Sequence, residues 1–215
     1  MHLVQFLARR AVMSKRFFTP PFPAADGLRA HKRVETHQRI VDAALRLFLA
    51  DGYVATTLDA IASEAGISRR TFFSYFKSKD DIVISVMRDG WASLFAELLK
   101  TSPDVPPLEA VCDAIVRQLA RYTTDETAAL DELMRSSESL LARKQSFYAE
   151  QEQALFDVLC EVWRQPERQM GLRMVAILCI GALKLTTQTW GNQHGGKQPM
   201  AQMFREAVAS LKTEL

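Results

Sequence analysis

This chain has little histidine, few cysteines and no sustained apolar/polar alternation, and each scarcity excludes something. The four histidines are His2, His31, His37 and His194, three of them in or beside a basic N-terminal stretch. None has metal-ligand companions, and HExxH, GxSxG and nucleotide-binding fingerprints are missing. No catalytic residue, metal or cofactor is therefore assigned, and an enzyme hidden in the helical body is the remote alternative. Cys112, Cys160 and Cys179 are odd in number, far apart and set among apolar residues. That is the usage of a reduced cytoplasmic interior with buried thiols; redox sensing by one of them is the competing reading. Without a period-two stretch there is no candidate strand, and the chain reads as all-α. No unbroken apolar core occurs near the start, where Arg9, Arg10, Lys15 and Arg16 interrupt the hydrophobic residues, so a signal peptide is not expected.

What is present is a chain of 215 residues, 48% hydrophobic, with a net charge of +2 that hides an asymmetry. Residues 1–88 hold fourteen Lys+Arg against eight Asp+Glu (+6), and the remainder thirteen against seventeen (−4). A basic front on an acidic body points to a polyanion met by the front alone.

The most informative stretch is Thr57 to Tyr75, TLDAIASEAGISRRTFFSY. Thr57 can cap a short helix with Leu58, Ile61, Ala62 and Ala65 on one face. Gly66 supplies a sharp turn, Ile67 an apolar hinge, and Ser68 can cap a second helix that opens with Arg69 and Arg70. Two readings fit: an αα-hairpin with solvated arginines, or a helix-turn-helix whose second helix enters the major groove. The preceding helix, about Glu35 to Ala50, places Ile40, Ala44, Leu47 and Phe48 on one face and ends at Gly52. Phe72 and Phe76, four apart, read as core that anchors the recognition helix. Residues 1–33, with Pro20, Pro21 and Pro23, read as a mostly disordered basic arm. Its Arg33, with Arg29 and Lys32, either reaches phosphate or a minor groove or is simply solvated.

Ser78-x-x-Asp81 opens a long helix through Trp91, Leu94, Phe95 and Leu98, about 35 Å at ~1.5 Å per residue. Further helices follow at Leu108–Tyr122, Asp125–Met134, Glu138–Trp163, Leu172–Trp190 and Met200–Thr213. The Leu172 helix is apolar almost all round, which demands burial on more than one side. Arg173 and Lys184 interrupt it, so a membrane span is not expected. The Gly191 to Lys197 turn mimics the glycine and lysine spacing of a phosphate-binding loop. It follows a helix instead of a strand, and Gln198 and Pro199 stand where Ser or Thr should bind Mg²⁺.

From Thr36 to Ile82 the order and spacing of Leu47-Phe48, Asp51-Gly52-Tyr53, Ala55-Thr56-Thr57, Ile61-Ala62, Ala65-Gly66-Ile67-Ser68, Thr71-Phe72-Phe73 and Tyr75-Phe76-x-Ser78-Lys79 resemble the DNA-binding domain of the TetR family of bacterial transcriptional regulators. The resemblance covers about a fifth to a quarter of the chain. It implies a three-helix DNA-binding domain over 34–80, after the 1–33 arm, and a helical effector-binding and dimerisation domain over 81–215. It places Thr57, Thr71, Tyr75 and Lys79 at phosphate-contacting positions, beside the Ser68 cap, and Arg69 and Arg70 at base edges or phosphate. Phe73 departs from the Tyr common at its position, keeping an apolar face but no hydroxyl, and Arg70 replaces a frequent Gly.

The resemblance further implies a homodimer reading an inverted-repeat operator in duplex DNA. Leu172, Val175, Ala176, Cys179, Leu183, Met203, Phe204, Val208 and Leu211 of the last two helices would form a four-helix interface. A small-molecule effector, apolar or aromatic, would sit among Trp91, Phe95, Ile115, Leu119, Tyr122, Phe147 and Phe156, each of which is otherwise plain core. The expected function is a cytoplasmic repressor released from DNA by that ligand. An effector-independent regulator, an activator or a helical protein-interaction module are the alternatives.

Overall fold

The computed structural model describes residues 27–193 and 198–214, which are helical throughout their regular elements with no strand among them. The helices are α1 (Gly27–Ala50), α2 (Leu58–Glu64), α3 (Arg69–Phe73), α4 (Lys79–Leu98), α5 (Pro107–Leu119), α6 (Thr124–Arg135), α7 (Glu138–Val162), α8 (Gln169–Gly191) and α9 (Met200–Glu214). A 3₁₀ turn at Pro166–Arg168 leads into α8. The chain divides into two compact units. One runs to Met87 and includes Glu132–Leu141; the other comprises Arg88–Asp131 and Ala142–Leu215.

In the first unit α2 packs on α1 and α3, and the base of α4 is tied to the loop that follows α1. The unit's core takes Ile40, Ala44 and Phe48 from α1, as the sequence indicates, and also Val41, Ala43 and Leu45, so the buried stripe is broader than a four-residue face. Leu47 is only half-buried. The helix begins at Gly27 instead of Glu35, so residues 27–33 are helical and not part of a disordered arm. Past the last proline at Pro23, the run Leu28-Arg-Ala-His-Lys-Arg consists mostly of good helix formers and contains no breaker. The rest of the expected arm, residues 1–26, lies outside the described residues. Gly52, at φ +85°, ends α1 in the left-handed conformation expected of it.

A dense set of polar contacts fixes the base of α4. The Lys79 ammonium donates to the carbonyls of Tyr53 (2.7 Å), Thr56 (2.9 Å) and Val54 (3.3 Å), and stands 4.6 Å over the Tyr53 ring. Burial pulls its pKa below the ordinary lysine value, with neighbouring Asp80 opposing. The Tyr53 hydroxyl donates to one oxygen of Asp80 and the Ser139 hydroxyl to the other. Ser78 caps the helix through the N–H of Asp81 (3.2 Å), while Asp81 accepts from the N–H of Lys77 (2.9 Å). Thus the corner between α6 and α7, with Leu133, Met134 and Leu140 buried, belongs to the first unit. The sequence boundary at 80/81 misses this, because the corner joins only through packing distant in sequence.

In the second unit α8 and α9 pack on each other and both pack on α5. Two tryptophans tie loops to this core. Trp163 donates its ring N–H to the carbonyls of Pro103 (2.9 Å) and Val105 (3.1 Å), and Trp190 to that of Gln198 (2.7 Å). Cys179 of α8 hydrogen-bonds with Cys112 of α5; that bond and burial push the Cys179 thiol up, so it stays protonated and unreactive.

Most residues of the expected dimerisation set are covered within the single chain. Leu172, Ala176, Cys179, Leu183, Phe204 and Val208 are buried within the single chain, and Val175, Met203 and Leu211 are half-buried. The side of α8 left open carries Met170, Met174, Ile177 and Leu185 instead, which are 76, 47, 40 and 59% exposed. A helix apolar on all sides does not announce which side its own domain takes. The stretch Pro166–Gly191 is long and apolar enough to cross a membrane, yet its charged Arg173 is held in place by Glu152 (3.2 Å) and Gln153 (2.9 Å) of α7.

Replacing Lys79 by Met should leave three carbonyls without their charged donor and cost about 1–3 kcal/mol. Urea unfolding would measure the loss, and hydrogen exchange should show faster opening of the 53–57 loop in the variant. Unchanged protection there would mean that the contact is not structural.

Candidate nucleic-acid interface

The segment from Thr57 to Phe76 forms two short helices with a tight turn. The Thr57 hydroxyl accepts from the N–H of Ala60 (3.1 Å) and so starts α2. Ile61 and Ala62 then face inward. Gly66, at φ +64°, takes the left-handed position that lets the chain reverse; the N–H of Ile67 returns to the Ala62 carbonyl (3.0 Å). Ser68 caps α3 by accepting from the N–H of Thr71 (3.1 Å), and the two hydroxyls are themselves 2.8 Å apart. A bulkier residue at Gly66 would be strained whatever space surrounds it.

α3 is barely more than one turn, and a single fully buried side chain, Phe72, anchors it. Phe76, also buried, lies beyond the helix end instead of on it, its N–H bonded to the Phe72 carbonyl (3.1 Å). Its ring lies 4.8 Å from His37 of α1. With those two rings inward, Arg69, Arg70 and Phe73 are outward, and Thr71 and Tyr75 are half-exposed. Neither guanidinium is folded into the interior.

The two arginines are not equivalent. Arg69 holds Asp59 of α2 through Nη1, at 2.6 and 2.8 Å to the two carboxylate oxygens, and lies 5.6 Å over the Phe73 ring. Its charge is thereby partly neutralised, and the aromatic face of Phe73 is partly covered. Arg70 makes no hydrogen bond or ion pair to any described residue, which leaves all five of its donors to an external acceptor. Arg33 of α1 stacks 5.5 Å over the Tyr75 ring, bringing a third guanidinium beside α3. Its helical setting makes it a fixed group. Lys79 is the one expected phosphate contact whose donors are already taken, since its ammonium serves the loop carbonyls. Asp59 and Ser139 were not foreseen. Asp59 carries a weak sequence signal, as an acidic residue in the first turn of α2, whereas Ser139 carries none.

The residues expected to line an effector site all lie in the second unit. Ile115 and Phe147 are fully buried, Trp91 nearly so; Phe95, Leu119 and Phe156 are half-buried, and Tyr122 is exposed. Trp91 and Phe95 meet at 5.6 Å, and Phe156 lies under Arg173 at 5.3 Å. A polar residue the sequence did not single out shares α5 with Ile115 and Leu119. Gln118 continues the buried stripe Val111, Ala114, Ile115 of α5, and its carboxamide oxygen is sealed from solvent without a partner among the described residues. An orphaned acceptor of this kind costs about 1–3 kcal/mol. Its amide nitrogen would lie only 2.7 Å from a Cβ at Gly90 of α4. A glycine inside a helix costs roughly 1 kcal/mol relative to alanine, and here it makes room for that amide.

Comparison with known proteins agrees with this geometry. Residues 40–86 match the family described as bacterial regulatory proteins, tetR family, and residues 105–215 match the MftR C-terminal domain. The chain is 32% identical over 109 residues to the HTH-type transcriptional regulator TcmR of Streptomyces glaucescens, covering 51% of this chain and 48% of that protein. Against the HTH-type transcriptional regulator AcrR of Shigella flexneri it is 31% identical over 98 residues, 45% and 46% of the two chains. The chain thus spans about half the length, or less, of the curated relatives it matches. Among solved structures, Thermus thermophilus FadR, a TetR-family transcriptional repressor in complex with lauroyl-CoA, superposes with a TM-score of 0.54 at 22% identity, covering 82% of this chain and 93% of that one. A transcriptional regulator from Aquifex aeolicus gives 0.51 at 16%, with 84% and 99% covered. At these identities the likeness speaks for the fold. Helix-turn-helix geometry in the first unit and family matches across both units together establish that the chain belongs to the TetR family of bacterial regulatory proteins.

Proposed function

We propose that this chain is a cytoplasmic, sequence-specific DNA-binding regulator, a homodimer on an inverted-repeat operator that a small apolar or aromatic molecule releases. The observation that carries the DNA-binding reading is the outer face of α3. Arg70 stands unengaged and Arg69 lies beside it on a helix pinned by Phe72, and Arg33 of α1 is stacked on Tyr75 just past that helix. A guanidinium with free donors suits guanine O6 and N7 together. Arg69, already shared with Asp59, suits a phosphate, as do Thr57 and Thr71 at the helix starts.

The exposed stripe of α8 supports the dimer. Met170, Met174, Ile177 and Leu185 recur on one side of the helix, and Gly181 between them has nothing near the place of its missing Cβ, so a partner helix can approach closely. Two copies of α3 then address successive major grooves.

Effector release requires two dimer states with different ligand affinity. Two chain segments connect the body to the first unit in sequence. One is α4, whose residues to Met87 belong to the first unit and from Arg88 to the second; the other is the α6–α7 corner. The Asp80 carboxylate receives hydroxyls from both Tyr53 and Ser139, which makes the corner a second lever on the base of α4.

Selection of bound duplexes from random DNA should enrich an inverted repeat. On the selected site, Arg70→Ala should weaken specific binding by roughly 1–3 kcal/mol and relax the preference at one position. Asp59→Asn frees Arg69 and should instead strengthen binding to all sequences and steepen its salt dependence. Fluorescence anisotropy on the selected and a scrambled duplex separates the two effects; an unchanged Arg70→Ala titration would overturn the assignment of α3. Placing Glu at Ile177 or Leu185 should give monomers by sedimentation while keeping the helical signal, and persistence of the dimer would rule out the α8 face. Ser139→Ala should leave operator affinity within a few-fold but reduce the effect of any releasing ligand.

A further inference from the structure

We infer that the Gln118 carboxamide is the polar anchor of the effector site, and that the effector is an apolar molecule carrying a hydrogen-bond donor, a hydroxyl or an N–H. This rests on the ligand-responsive reading and names the chemical class for it.

Three features meet at one point. Gln118 occupies a position on α5 whose helical neighbours Val111, Ala114 and Ile115 are all buried and apolar. Its Oε1 is sealed from water and accepts no hydrogen bond from any described residue. The facing residue on α4 is Gly90, where a Cβ would meet the amide nitrogen at 2.7 Å, well inside contact distance. A leucine at 118 would remove the unpaired acceptor, and an alanine at 90 would favour the helix once the amide moved aside. Keeping a costly acceptor and a helix-weakening glycine side by side is the pattern of a binding site, where local rules yield to a ligand.

Burial decides what the ligand offers. A carbonyl oxygen in an apolar setting rewards a donor strongly, and a ligand without one leaves the acceptor unpaired in the complex as well. The stripe of α5 that carries Gln118 is aliphatic (Val111, Ala114 and Ile115), and the α4 residues expected at the site, Trp91 and Phe95, meet at 5.6 Å. The effector body is therefore apolar and the discriminating atom is a single donor. Gly90 places this recognition against α4 itself, so a ligand that draws the carboxamide toward its donor changes what that helix packs on.

The test uses the full chain without DNA, so its outcome is independent of whether the operator assignment stands. 2-Naphthol and 2-methylnaphthalene share shape and differ in one O–H. Titrated against tryptophan fluorescence, 2-naphthol should bind the wild-type protein roughly tenfold more tightly, the size of one buried hydrogen bond. Gln118→Leu should abolish that preference by weakening 2-naphthol alone, and should raise the Tm of the unliganded protein because the orphaned acceptor is gone. Gly90→Ala, which displaces the amide, should also erase the preference, giving a second variant should the first fold poorly. No saturable 2-naphthol binding, equal affinities for the two probes in the wild type, or an unchanged preference in a folded variant would each overturn the inference, as would a Tm lowered by Gln118→Leu.

Discussion

One ammonium group facing three carbonyl oxygens is the constraint on which the first unit depends. Lys79, at the first turn of α4, gathers the carbonyls of Tyr53, Val54 and Thr56 from the loop that follows α1. That loop carries Thr57, the cap of α2, so its position sets where α2 begins and hence where the turn at Gly66 delivers α3. A five-residue helix cannot hold itself in water. Its pose follows from Phe72 inside and from the loop that Lys79 fastens.

Next to that ammonium, Asp80 joins Tyr53 on one side to Ser139 on the other. That carboxylate thus ties the α6–α7 corner to the base of α4. The same residue type serves differently on the outer surface. Asp59 tempers Arg69 and leaves Arg70 as the unengaged cation of the pair.

The body shows the complementary economy. α8 is apolar on every side, and the domain uses one side for packing on α5 and α9, leaving Met170, Met174, Ile177 and Leu185 outward. Gln118 and Gly90 interrupt the otherwise apolar packing of α5 and α4 at a single spot. Both features disagree with what the isolated chain would prefer.

Much of the local chemistry was legible in the sequence. The helices of the body, the Thr57 and Ser68 caps, the two left-handed glycines and the outward arginines all follow from short-range signals: side-chain reach to a nearby N–H, the absence of a Cβ, and apolar spacing. The motif order from Leu47 to Lys79 carried the family. Choices between equivalent faces belonged to tertiary structure, because periodicity cannot distinguish an inner from an outer side of a helix that is apolar all round. For that reason the exposed side of α8 carries Met174 and Ile177, while Leu172 and Ala176 are buried. Long-range partners were equally silent: Ser139 lies 59 residues from Asp80, and nothing local to either announces the other. Lys79 changed from a phosphate contact to a structural clamp on the same ground, since a lysine's role depends on which acceptors the folded chain brings to it.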